Sequence, residues 1–172
     1  MDMVEAAKVS RGQSFVKFAL GRIKNDNAFS AALSRADNPA TESQAWEYLA
    51  HWCDLDKDWE RRPFAIIAAA VARAKPATDG MLGIGKAIAL CYDDGNKSDS
   101  AKSKLRRLLS CDSAEELCII LRPLLSLIAS KGVRLNYGQL LNDLVYFGDG
   151  EKNKQKWAVD FYGRRGDDSL GA

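Results

Sequence analysis

Three stretches of the sequence carry residue types and spacings that could do chemistry. Gly80-Met-Leu-Gly-Ile-Gly85-Lys86 fits G-x-x-x-x-G-K, the pattern of a loop whose backbone amides wrap nucleotide phosphates. The next residue, Ala87, has no hydroxyl for Mg²⁺, and the preceding Ala74-Lys-Pro-Ala-Thr-Asp79 cannot be the buried strand that feeds such a loop. Asp54, Asp56 and Asp58 have the 1-3-5 spacing of a calcium loop, but Trp59 stands where glycine is needed and Ala65 where a bidentate glutamate is needed. A solvated acidic turn is the better reading. His51 is the only histidine, so any His-based nucleophile or metal site would rest on it with Cys53 or Asp54, and it reads instead as a helix-end residue. Cys53, Cys91, Cys111 and Cys118 form no C-x-x-C pair and read as reduced, buried thiols. No catalytic constellation, no metal site and no cofactor are expected.

The pattern that survives is electrostatic. In Ser98 to Leu109, a helix of 3.6 residues per turn puts Ala101, Leu105, Leu108 and Leu109 on one face. Lys102, Lys104, Arg106 and Arg107 fill the remaining arc, and no carboxylate follows Lys102. A solvated face usually mixes signs, because opposite charges at i,i+4 stabilise a helix by roughly 0.2–0.5 kcal/mol per pair. The plain reading is a basic surface helix without a partner; the sharper one is a helix that contacts phosphates. The net charge of the chain is only +2, yet its distribution is uneven. Residues 37–62 carry seven acids against three bases, 97–109 five bases against Asp99, and 151–165 five bases against Glu151 and Asp160. Such asymmetry suggests one anion-facing side and a separate acidic side.

The elements that must hold these residues read as helices throughout. Val9 to Ile23 places Phe15, Phe18, Ala19 and Ile23 at helical spacing, and Asn25 and Asp26 can cap a second helix through Ala36 that Asn38-Pro39 stops. Thr41-Glu-Ser-Gln44 looks like a capping box ahead of Trp46 and Leu49. Pro63 suits the first turn of an apolar, central helix from Phe64 to Ala74, and Gly80 to Leu90 reads as a helix of small residues. Asp93 to Asp99 is the linker candidate. Asp112 to Glu115 caps a helix with a stripe from Leu117 to Ile128, in which Pro123 marks a bend or a split. Gly132 ends it, Asn136 caps Tyr137 to Phe147, and a last helix runs from about Glu151 to Tyr162. Val133-Arg-Leu135 is too short for a strand. The fold class expected is all-α, about eight or nine helices in two packed helical bundles, with an N-terminal bundle over 1–95, a C-terminal bundle over 96–166 and a frayed tail at 167–172.

The 172 residues, 47% hydrophobic and 28% charged, are enough to fold without disulfide or metal. The longest apolar run, Phe64 to Ala72, falls far short of the roughly 20 residues that cross a bilayer. With no secretion signal, a cytoplasmic protein without membrane contact is expected.

The second half resembles the CasB family, the small subunit of the type I-E CRISPR surveillance complex Cascade. Four stretches carry the likeness in order: Leu82 to Ile88; Lys104-Leu-Arg-Arg-Leu-Leu109 with Cys111-Asp112, Glu116-Leu117 and Leu121-Arg122; Val133 to Tyr137 with Leu140 to Leu144; and Trp157 to Tyr162. Lys104 stands where the family often has arginine, and Asn136 where aspartate is common. The resemblance implies an all-helical, non-catalytic protein, present in two copies, that contacts guide RNA and target strand, helps hold the displaced DNA strand and packs against the backbone and large subunits.

Both lines together point to Lys86, Lys102, Lys104, Arg106, Arg107, Arg122 and Arg134 as backbone-binding cations; Lys86, Lys104 and Arg122 match family positions. Lys152, Lys154, Lys156 and Arg164 rank behind them. Because most aromatics sit at core spacing, charge is expected to dominate binding. The alternative is a protein–protein adaptor that uses the acidic 37–62 stretch, and a small helical enzyme resting on His51 is the weakest option.

Overall fold

Five of the α-helices among the described residues begin where the N-cap side chain takes up a free amide of the first turn. Ser10 accepts from Gln13 N–H, and Gln13 returns the bond, at the start of α1 (Arg11–Ile23). Asp26 does the same service for α2 (Asn27–Ser34), Ser98 for α6 (Asp99–Leu109), Ser113 for α7 (Ala114–Ser130) and Asn136 for α8 (Tyr137–Val145). Each such cap stabilises its helix by about 1 kcal/mol. The remaining α-helices are α3 (Trp46–Leu49), α4 (Asp58–Ala74), α5 (Ile84–Leu90) and α9 (Glu151–Tyr162), with 3₁₀ turns at Glu42–Ala45 and Gly95–Lys97. The structure, a computed structural model, describes residues 9–148 and 150–165. The tail expected at 167–172 lies outside the described residues.

The all-α expectation holds: the described residues form nine α-helices, and their only β pairing is an isolated parallel bridge between Leu82 and Leu135. Several local readings are corrected. Thr41 makes no cap to the following turn; its hydroxyl donates to the Arg35 carbonyl, closing the loop after α2. Helix α4 starts earlier than Pro63, at Asp58, where Asp58 and Glu60 in the first turn complement the helix dipole. Pro63 therefore lies inside the helix and leaves the Trp59 carbonyl without its helical donor. Pro123 also sits within one unbroken helix. The Gly80 to Leu90 segment is helical only from Ile84, because Gly80 and Leu82 donate to the carbonyls of Leu135 and Arg134 instead.

The core is one continuous apolar cluster. Helix α4 lies at the centre of a first group, packed by α1, α2, α3, α7 and α8, with Phe64, Ile67, Ala68 and Val71 fully enclosed. Helices α5, α6 and α9 form a second group, joined to the first through α6 on α7. The boundary expected at 95/96 is crossed by the three most extensive helix pairings, α1 with α8, α4 with α7 and α5 with α9. The physical reason is visible in α4, which is apolar on nearly every side and needs more neighbours than the first 95 residues supply. Two close approaches fix the crossings. At α1 and α8, Gly12 and Gly138 face each other so tightly that a methyl group on Gly12 would collide with the Gly138 carbonyl. At α5 and α9, a methyl on Gly85 would strike the Trp157 carbonyl. Of the glycines in the Gly80 to Lys86 motif, Gly85 thus serves helix packing, Gly80 the close pairing with residues 134–135, and Gly83 the approach of the Asp160 carboxylate.

Candidate nucleic-acid interface

Helix α6 presents its cations as the sequence pattern requires. Ala101, Leu105 and Leu108 are fully buried, and Lys102, Lys104, Arg106 and Arg107 share the outer surface with Asp99, Ser100 and Ser103. Arg106 and Arg107 are exposed, Lys102 and Lys104 half-buried along their stems. Among the described residues, none of these four is bonded to a carboxylate. Arg106 and Arg107 lie in the last turn, where positive charge also suits the helix dipole. Lys104 reaches the neighbourhood of Cys91 at the end of α5, and Arg107 shares the surroundings of Cys111 with Lys154 of α9.

Lys86 sits on the exposed side of α5 at the rim of an open groove of about 970 Å³ between α5, α8 and α9. Lys152, Lys156 and Arg164 line the same groove, with Met81, Val159 and Tyr162 among its apolar members. Two carboxylates lie in it as well. Asp143, only 8% exposed, accepts from the Lys156 ammonium at 2.9 Å, the Gln139 amide at 2.9 Å and the Trp157 indole at 3.0 Å. Asp160 accepts from the Lys86 backbone N–H at 2.7 Å and so caps α5, whose own N-cap, Gly83, has no side chain to do it.

Arg122 and Arg134 stand apart. The Arg122 guanidinium donates to Asp37 at 3.1 Å, and Arg73 bonds both oxygens of the same carboxylate. Asp37's side chain is 2% exposed while both arginines are partly exposed, so this triad is an anchor built on a buried carboxylate that ties α4 and α7 to the end of α2. Arg134 donates to the carbonyl and hydroxyl of Thr78, each at 2.9 Å, and thereby fastens the strand-like 80–82 segment. Lys154 pairs with Asp112 at 3.2 Å. Of the cations singled out from sequence, the structure thus gathers Lys86 with the lower-ranked Lys152, Lys156 and Arg164, keeps four together on α6, and gives Arg122 and Arg134 intramolecular partners. The groove set escapes sequence reading because Lys86 and α9 are about 70 residues apart; the alternation of Lys152, Lys154 and Lys156 was its only local signal.

The acidic stretch is largely spoken for. Asp37 holds two arginines, Glu42 and Asp58 bond Arg61, Asp54 bonds Lys57, and buried Glu60 takes the Arg11 guanidinium. Burial, foremost, pushes the Cys53 thiol up to about 11 and Cys118 to about 12, so both stay neutral near pH 7. His51 is exposed in a turn beside Phe18, Tyr48 and Trp52. No cluster of three or more His, Cys, Asp or Glu able to hold a metal occurs among the described residues. Nor is any of their helices long and apolar enough to cross a membrane.

Comparison with known proteins agrees with this architecture. The family model for CRISPR-associated protein Cse2 matches residues 30–162. The crystal structure of CasB from M. ruber is 27% identical, with 90% of this chain and 94% of that chain covered at a TM-score of 0.71. A CRISPR-associated protein of the Cse2 family from Thermus thermophilus is 21% identical, with coverages of 89% and 98% and a TM-score of 0.71. A chain of a CRISPR RNA-guided surveillance complex is 23% identical, with coverages of 88% and 91% and a TM-score of 0.71. No curated protein matches the chain significantly. The family match spans the greater part of the sequence and the helical fold is shared with solved members, so this protein belongs to the CRISPR-associated Cse2 family.

Proposed function

We propose that the protein is a non-catalytic small subunit of a type I-E CRISPR RNA-guided surveillance complex in the cytoplasm. There, two copies contact the backbones of guide RNA, target strand and displaced strand and stabilise the R-loop, with backbone and large subunits as neighbours. Exchange of a DNA duplex for an RNA–DNA hybrid is close to balanced, so modest protein–backbone contacts can tip it. The observation that carries this reading is α6: four cations on one helix, none with a carboxylate partner among the described residues, while arginines elsewhere, such as Arg61, Arg73 and Arg122, are paired with acids of the same chain. Family membership supplies the context. Lys102, Lys104, Arg106, Arg107 and Lys86 are assigned to phosphate contact; Arg122 and Arg134, with partners inside the chain, are assigned to holding the fold.

Titration of the purified protein with single-stranded and duplex oligonucleotides at graded salt tests the proposal. Log affinity is expected to fall linearly with log salt, by about 0.7 per phosphate contacted on a single strand, and similarly for unrelated sequences. Complete absence of binding at low salt overturns it in favour of the adaptor reading.

A further inference from the structure

The groove between α5, α8 and α9 differs from α6 in kind, because it joins charge to an exposed aromatic face. Tyr162, the last residue of α9, is 46% exposed and lines the groove; its ring rests edge-on against the buried Phe161 at 4.8 Å, which holds its orientation. Met81, 89% exposed, and Val159, 41% exposed, add apolar surface beside it. Lys86 and Lys152 are exposed at the rim without a carboxylate partner among the described residues. The two acids present do not reverse the charge. Asp143 is matched by Lys156 and fully hydrogen-bonded, and Asp160 is directed at the amide end of α5. At about 970 Å³ the groove lies at the upper end of the range for small-ligand sites. It has room for a short run of chain rather than one compact ligand.

We infer that this groove is a site for an unpaired stretch of nucleic acid, with one base stacked on Tyr162, a nearby phosphate on Lys86 and a phosphate further along the strand on Lys152, about 15 Å away at the other end of α9. The inference rests on the proposed nucleic-acid binding and adds to it a selectivity that charge alone does not give. A base stacked in a duplex has no free face to offer a side chain, whereas an unpaired base does, whatever its identity. The protein then has two kinds of contact surface: α6, which responds to phosphate in any strand, and the groove, which responds to unpaired bases. The groove's contribution to binding is largely insensitive to salt through the ring and sensitive through the two lysines.

The test compares Tyr162→Leu, Tyr162→Phe and the unaltered full-length protein on a single-stranded oligonucleotide carrying 2-aminopurine and on a duplex of the same sequence. Stacking is worth about 1–3 kcal/mol per base, so Tyr162→Leu is expected to lower single-strand affinity by roughly 5-fold to 150-fold. Duplex affinity and the salt slope should stay unchanged, Tyr162→Phe should bind as the unaltered protein does, and quenching of 2-aminopurine should disappear in Tyr162→Leu. Equal losses on single strand and duplex, or no loss on either, overturn the groove site while salt-dependent binding by the unaltered protein leaves the α6 reading standing. If the unaltered protein binds neither oligonucleotide at low salt, both readings fall together.

Discussion

The Asp37 junction and helix α6 both collect positive side chains, and they use them in opposite ways. At Asp37 two arginines from α4 and α7 converge on one carboxylate that is 2% exposed, and the charge is consumed in joining three helices. On α6 four cations share a solvent-facing arc and none of them is bonded to an acid among the described residues. The difference teaches that the role of a cation is set by which carboxylate the fold brings to it, often from far along the chain. Arg122 and Arg107 look alike in sequence, each in a helix beside leucines. Only the fold separates them.

The largest expected effect comes from removing the anchor. Asp37→Ala strands Arg73 and Arg122 without their acceptor; because both are roughly half exposed and can rehydrate, the loss is about 2 kcal/mol rather than that of a fully buried pair. For a chain of this size that is about 4–8 °C in Tm by calorimetry, with nucleic-acid affinity unchanged. The double change Arg106→Ala with Arg107→Ala inverts the result: Tm should hold within about 1–2 °C, while the single-strand salt slope drops by about 1.4 and affinity falls about 25-fold at 0.1 M salt. Arg122→Ala comes next, costing about 1 kcal/mol and about 2–4 °C of Tm with affinity within twofold. A drop in affinity with no change in Tm would move Arg122 back among the phosphate contacts and erase the contrast. Smallest of all, Ser103→Glu places a carboxylate four residues before Arg107 and converts part of α6 to the paired kind. Stability should rise by about 0.2–0.5 kcal/mol, and titration at low salt should show a few-fold weaker binding.

Much of the helical layout was legible because its signals are local. Asp26, Ser113 within the Asp112 to Glu115 stretch, and Asn136 cap the helices they announce, and α9 runs over the residues its pattern implied. The failures share a cause. The Thr41 hydroxyl donates to the Arg35 carbonyl and accepts from no amide of the turn that follows it, and Gly80 to Leu82 pairs with residues 134–135, more than 50 positions away. Asp37 lies 85 residues before Arg122, so no window of sequence could have matched them. The same holds for the candidate site: α6 is a single segment and could be read as one, whereas Lys86 and Tyr162 meet only when α5 lies on α9. The pairings across the chain are of the same kind, since α4 packs on α7 and α8 from the second half while α5 packs on α9, and no local signal announces either.

The capping of α5 by Asp160 has a consequence for how the protein is made. The acceptor for the Lys86 amide is 74 residues downstream, and the Gly85 surface fits the Trp157 turn of the same final helix. At about 5–20 residues per second a ribosome needs roughly 4–15 s to deliver it. Throughout that interval a nascent chain holds a seven-residue segment without its capping group and with only part of its packing surface, supplied by α6, so the second helix group closes only once α9 has been made.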